Sequence, residues 1–327
     1  MGRWGRSWGL ALCALSLWVA TPLPVAAQSE WPDKPVKLMV PFSPGGSTDT
    51  LGRMIGRHLG DVFKQPFVIE NKAGAGGMIG SQLVAKSAAD GYSLVISGIA
   101  SHVIAPAGSP QTFDPMRDFT HIAMLGGPPI VLVVNAAVPV HDLKGFIAHV
   151  NADPKGLNWG SSGQGTHAHL IGEMFRAEAK LNMVHISYKG GGQAVLDLLG
   201  NQIPAGFMTL QSANSHILSG RLRALATTAA KRLPEHPNLP TFAELGYPSL
   251  VARTWFGLSG PAGMPKAVVD RINAEVRRGL QTPAIRQQLA LESIESDDFD
   301  AATFTQYVKS EIERWTPMIK MVAKANP

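Results

Sequence analysis

The chain has 327 residues, with 29 Lys and Arg against 24 Asp and Glu and a formal net charge of +5. No Lys/Arg run accompanies that mild excess, which argues against a nucleic-acid or membrane-surface partner. Its single cysteine, Cys13, sits in an N-terminal apolar run, so disulfides and thiol chemistry are excluded from the folded part, and the length suggests two domains of about 100–200 residues each.

Arg3 and Arg6 open the chain, Trp8–Ala20 is apolar, and Pro24 precedes the small residues Val25, Ala26 and Ala27. This is the pattern of a secretory signal peptide over residues 1–27, cleaved after about Ala27, and the run is shorter than the ~20 apolar residues of a membrane span. The two arginines are not adjacent, as a twin-arginine signal requires, and Leu12 stands where a lipoprotein signal would place a small residue before Cys13. The mature protein is expected to be exported and periplasmic.

Val36–Val40 suits a buried strand, and Pro44, Gly45 and Gly46 break it. Ser47 or Thr48 can cap the helix that follows, where Leu51, Met54, Ile55, Leu59 and Val62 share one face up to Phe63. Phe67–Glu70 reads as a strand, then a glycine turn, a helix from about Met78 to Ser87, and a strand at Tyr92–Ser97. Ile130–Asn135 is a strongly apolar strand after the Gly126-Gly127-Pro128-Pro129 cluster. Helices over Leu143–Val150, Thr166–Lys180 and Ala194–Leu199 interleave with strands at Met183–Ile186 and Ala205–Leu210. Arg223–Thr228 and Arg253–Ser259 are strand-like, and the tail is helical over Lys266–Gln281 and Ala301–Val322. The alternation predicts an α/β fold with largely parallel sheets. Breaks at Gly126–Pro129 and Tyr247–Arg253 read as crossings, with residues 28–128 plus 253–327 in one lobe and 129–252 in the other.

Two segments share one chemistry. At Pro41–Thr48, and again within Asn158–Leu170, a glycine-rich turn opens a helix. Such a turn aims several free N–H groups, at the positive end of the helix dipole, into a small volume suited to a carboxylate. On separate lobes, the two turns would face each other across a cleft.

Enzyme motifs fail one after another. Gly160-Ser161-Ser162-Gly163-Gln164 lacks the last glycine of a nucleophile elbow. Gly74–Gly80 has Ile79 where a dinucleotide fingerprint needs glycine, and Lys189 precedes Gly190-Gly191-Gly192 where a phosphate loop has its lysine last. His167 and His169 are two apart, which does not converge on a metal from a helix, and no cysteine or acidic cluster completes a site. His169 is expected to cap or pack. Asp49 and Arg53 fit either an i,i+4 ion pair at a helix start or a ligand contact. Phe42, between two prolines, is read as a pocket wall in preference to core.

These segments resemble the extracytoplasmic solute receptors of the tripartite tricarboxylate transporter system, the Bug-type receptors. The likeness runs through Trp31–Asp49, Val68–Gly80, Ala89–Leu94, Asp114–Ala123, Trp159–Leu170, His185–Val195, Gly220–Pro248, Thr254–Val276 and Glu311–Lys320. It implies a two-lobed periplasmic-binding-protein (Venus flytrap, type II) architecture, with two mixed β-sheet domains and a cleft that closes on a small carboxylate. Carried over by position, the ligand-binding residues are Phe42, Gly45, Gly46, Ser47, Asp49 and Ser101 from one lobe. Ser161, Ser162, Gln164, Gly165, Thr166 and Thr209 come from the other. Met208 and Thr209 stand where many relatives carry an acidic or amide residue, which points away from a ligand with an ammonium group. The implied protein is a monomeric receptor without cofactor or metal. Its partners are a small organic carboxylate and the membrane subunits of a tripartite transporter or a sensor kinase. An exported α/β hydrolase acting on a small ester is the alternative.

Overall fold

In the computed structural model, which describes residues 31–108 and 112–325, β1 spans Val36–Val40, α1 Ser47–Phe63, β2 Phe67–Asn71, α2 Met78–Ala85 and β3 Ser93–Gly98. A π-helical turn at Ala100–Ile104 runs into the short α3 at Ala105–Gly108, followed by β4 (Phe119–Gly126) and β5 (Ile130–Asn135). Next come α4 (Leu143–Ala152), β6 (Leu157–Ser161), α5 (His167–Glu178), β7 (Met183–Ser187), α6 (Gly191–Leu199) and β8 (Ala205–Thr209). α7 (Leu210–Leu218), β9 (Leu222–Thr227), β10 (Phe256–Pro261), α8 (Lys266–Leu280), α9 (Pro283–Leu291) and α10 (Ala301–Ala325) complete the order. The expected signal peptide lies outside the described residues. Among those residues no helix is long and apolar enough to cross a membrane.

The strands form two five-stranded sheets, ordered β2-β1-β3-β10-β4 and β7-β6-β8-β5-β9. Both are mixed. The expectation of largely parallel sheets is corrected, because β10 pairs antiparallel with β3 and β4, and β5 pairs antiparallel with β8 and β9. β5 and β10 are the strands that enter from the other sheet, and each inserts next to last in its new sheet against the local strand direction. Elements without a regular apolar period escaped the sequence reading. In α9, for example, Leu289 is the one buried residue.

The two crossing segments run side by side. Pro129 bridges Arg253 and Gly127 bridges Glu295, with Gly127 N–H donating to Glu295 O at 3.0 Å. A Cβ on Gly127 would overlap the Thr254 carbonyl, and Gly126 adds a φ of +99°. Close backbone approach is thus the physical reason for the glycine pair at this crossing. Arg253 ties the same place to Glu295 and Asp297.

One face of the first sheet packs on α1 and α8, where Leu51, Ile55, Leu59, Ile272 and Val276 join Leu38, Val40 and Leu258 in one apolar cluster. A second cluster is shared between the sheets. It runs from Phe304, Val308 and Trp315 on α10 through Trp255 to Leu132, Trp159, Phe175 and Phe207. Within it, the buried Glu311 carboxylate accepts the indole N–H groups of Trp255 (3.2 Å) and Trp315 (3.1 Å). Glu311→Ala leaves two buried N–H groups unpaired, each costing on the order of 1–3 kcal/mol. The expected loss is therefore about 2–6 kcal/mol in urea unfolding. A loss under ~1 kcal/mol would show that water replaces the carboxylate without penalty.

Candidate functional site

A cavity of about 40 Å³ lies between the sheets, lined by residues that follow β1, β3 and β6 and that end β8. Clefts at strand carboxyl ends are the usual ligand sites of α/β sheets. Four helices begin on this one. α1 contributes Gly46, Ser47 and Thr48, and α5 contributes Thr166, His167 and Ala168. Gly191 begins α6, and Thr209 is the residue before α7. The caps at Gly46, Gly190 and Thr209 make no side-chain capping bond, while Thr166 Oγ1 accepts from His169 N–H at 3.3 Å. The partial positive charge of four helix ends therefore falls on one small space, and no lysine or arginine lines it. Phe42, Ala100, Ile130 and Phe256 give it an apolar wall.

The two sides touch directly. Ser47 Oγ and Thr209 Oγ1 are 2.7 Å apart, and Thr209 Oγ1 is 2.6 Å from Ser212 Oγ. Ser43 donates to the Lys189 carbonyl from both its N–H (3.1 Å) and its hydroxyl (3.0 Å).

Of the residues expected at the site, Phe42, Gly46, Ser47, Ser162, Thr166 and Thr209 line this cavity. Gln164 lines an adjoining cavity with Phe42 and Ser162, and with Gly165 it also lines another that holds His169, Arg176 and His185. Gly45, Asp49, Ser101 and Ser161 line none of these three cavities. Ser101 is buried with its hydroxyl 2.9 Å from His102 Nδ1. The expected hydroxyl cap from Ser47 or Thr48 is replaced by Gly46, because the Ser47 hydroxyl is engaged across the cleft and Asp49 serves the turn instead.

Asp49 makes the ion pair with Arg53 that one of its two readings expects. Its Oδ2 accepts from the Gly45 amide (3.1 Å) and Arg53 Nε (2.9 Å), and its Oδ1 accepts from Asn71 Nδ2 (2.9 Å). Burial works to raise its pKa, but the bonds from Arg53, Asn71 and Gly45 together outweigh it and hold the carboxyl below its ordinary value. Asp49→Asn is therefore expected to act on the turn more than on ligand charge. Calorimetry should find affinity within about tenfold of wild type, ~1.4 kcal/mol, with a lower midpoint of thermal unfolding. A hundredfold loss of affinity would place the carboxylate on the ligand.

Ser161 Oγ lies 2.7 Å from His185 Nε2 and also bonds within its own turn to Gly163. That pair resembles a nucleophile and base. However, the Ser161 side chain is fully buried, and burial together with the charge of neighbouring His169 pushes His185 down to about 3. His169 packs tilted against His185 at 4.3 Å, whereas His167 meets Trp315 edge-on at 5.0 Å, so the H-x-H pair diverges.

Sequence reasoning missed the starts of α6 and α7, the Ile130–Thr254–Phe256 wall, and His167. The α6 start carried a readable signal, since Gly190-Gly191-Gly192 before a helix repeats the logic of Pro44-Gly45-Gly46. Its lysine comes before the glycines, which excludes a phosphate loop but not a helix-end anion site.

A family model described as tripartite tricarboxylate transporter family receptor matches residues 51–323. Protein BugT of Bordetella pertussis (strain Tohama I) is 35% identical over 94% of this chain and 96% of its own. Among solved structures, a Rhodopseudomonas palustris protein with adipate superposes with a TM-score of 0.85 at 30% identity, covering 90% of this chain and 99% of that one. MatC of Rhodopseudomonas palustris with bound malate gives 0.84 at 29% identity, covering 88% and 100%. The two mixed sheets are those of a periplasmic binding protein, and the chain belongs to the tripartite tricarboxylate transporter family receptors.

Proposed function

We propose that the solute is a small organic carboxylate, held in the cavity between the sheets by helix-end amides and hydroxyls and not by a side-chain cation. The observation that carries this reading is the convergence of four helix N-termini on a space without lysine or arginine. An anion at one helix end gains roughly 0.3–1 kcal/mol, up to ~2 when partly buried. Each hydrogen bond to the charge adds on the order of 1.5–3 kcal/mol. The malate and adipate named with two relatives belong to the same ligand class.

In this reading the lobes are residues 28–128 with 253–327, and 129–252, and the paired crossings at Pro129 and Arg253 are the hinge. Phe42, Gly46, Ser47, Ser162, Thr166 and Thr209 touch the ligand. Gly45, Asp49 and Ser161 shape the two turns, Gln164 and Gly165 shape the loop before α5, and Ser101 packs beneath. The receptor works as a periplasmic monomer and presents its closed form to the membrane subunits of the transporter or to a sensor kinase. No turnover is expected, because the Ser161 hydroxyl is fully buried and bonded within its own turn.

Titration calorimetry of the purified protein against mono-, di- and tricarboxylates tests the reading. At least one is expected to bind with micromolar or better affinity, and small-angle scattering should then show a smaller radius of gyration than without ligand. Ser47 on Thr209 and Ser43 on Lys189 join the two sides of the cavity, so ligand entry is expected to part them. No binding to any carboxylate, or turnover of a chromogenic ester abolished by Ser161→Ala, would overturn the reading.

A further inference from the structure

One polar side chain on the cavity has nothing to bond. His167, the first residue of α5, lines the cavity and is 2% exposed, yet neither of its ring nitrogens has a hydrogen-bond partner. Its ring packs on the edge of Trp315, whose own indole N–H is taken by Glu311. A neutral imidazole carries one donor and one acceptor, and leaving them unmade in a buried site is costly. Such orphans in a native fold mark places where something else completes them.

We propose that His167 reads the ligand, its imidazole accepting a hydrogen bond from a ligand hydroxyl, so that this receptor selects hydroxycarboxylates over their unsubstituted counterparts. The inference rests on the carboxylate reading of the cleft and adds the substituent to it. The cavity's other polar side chains are hydroxyls, those of Thr48, Ser162 and Thr254 among them, which can turn to donate to a carboxylate. The helix ends offer only N–H groups, and the nearby carboxylate of Asp49 is turned away and bonded to Gly45, Arg53 and Asn71. The hydroxyls of Ser47 and Thr209 are paired with each other, and Thr166 Oγ1 donates to the Gly163 carbonyl at 2.7 Å. Burial, assisted by the positive Arg314, pushes His167 down to about 3, so at neutral pH one nitrogen is free to accept. A ligand ammonium group would meet four positive helix ends, whereas a hydroxyl meets an acceptor that no other group satisfies. Sites built to bond a substrate hydroxyl discriminate strongly against analogues that lack it.

The test compares matched pairs in titration calorimetry: malate with succinate, 2-hydroxyglutarate with glutarate, lactate with propionate, and 3-hydroxybutyrate with butyrate. Wild type is expected to bind the hydroxy member of at least one pair tenfold or more tighter. His167→Phe, which keeps the ring and its Trp315 contact but removes both nitrogens, should bring that ratio within threefold. His167→Gln, which restores an acceptor, should recover part of the preference. Wild type without a tenfold preference in any pair, or His167→Phe with an unchanged ratio, overturns the inference even where carboxylates bind. Wild type that binds none of the eight acids overturns the carboxylate reading and this inference with it. The wild-type ratios decide the matter even if the variants fail to fold.

Discussion

Gly192→Val is expected to weaken ligand binding by a hundredfold or more, about 2.8 kcal/mol, while the protein stays folded. Gly192 lies in the first turn of α6, and its φ is not in the left-handed region, so a valine meets no backbone strain there. What it meets is the other side of the cleft. A Cβ at this position would come within 2.8 Å of the Pro44 carbonyl oxygen and 3.3 Å of the Gly45 carbonyl carbon, both backbone atoms that cannot rotate away. The same approach is held by Ser43 on the Lys189 carbonyl and by Ser47 on Thr209. A valine therefore props apart the starts of α1 and α6, and a ligand that needs both loses the state it binds best. Calorimetry with a bound carboxylate measures the loss, and circular dichroism checks the fold. Affinity within threefold of wild type would show that the observed approach of Pro44 to Gly192 is not required for binding.

Acid will destabilise this protein well before its carboxylates titrate. An unfolded imidazole titrates near 6.5. In the fold, burial pushes His121 down to about 4, against a partial offset from its bond to the Pro115 carbonyl. Burial and then the charge of Arg314 push His167 down to about 3, and burial with neighbouring His121 drives the fully buried His102 well below its ordinary value. Below pH 6.5 the unfolded chain binds protons that the folded one refuses. The stability these groups contribute is therefore complete above 6.5 and is lost as pH falls toward their folded values. At pH 5, His121 and His167 each remove about 2 kcal/mol, or ~4 together, from a fold whose total is typically 5–15 kcal/mol. Guanidinium unfolding at pH 7.5 and 5.0 measures this directly. His167→Phe should recover about 2 kcal/mol of the difference. Equal or greater stability at pH 5 would mean that these imidazoles are open to water in solution.

What the sequence by itself determined is local. Val36–Val40 and Ile130–Asn135 are strands at the bounds their apolar runs suggest, and α1 ends at Phe63 as its apolar face predicts. The turns at Pro44–Gly46 and Gly163–Thr166 open helices because proline, glycine and a capping threonine act over a few residues, without help from the rest of the chain. The family, too, was legible, since its motifs are contiguous segments in a constant order. Tertiary structure decided everything that depends on which local pieces meet. Only the insertion of β5 and β10 into opposite sheets brings the starts of α6 and α7 beside those of α1 and α5. Depth behaves the same way. Ser161 and Ser162 are adjacent with identical side chains, yet strand geometry buries the first against His185 while the second reaches the cavity. Asp49 is bonded into the scaffold because Asn71, 22 positions away at the end of β2, arrives beside it. His167 acquires its unpaired nitrogens only when Trp315, on the last helix, covers it. Such contacts join residues far apart in the chain, and no local pattern of residue types records them.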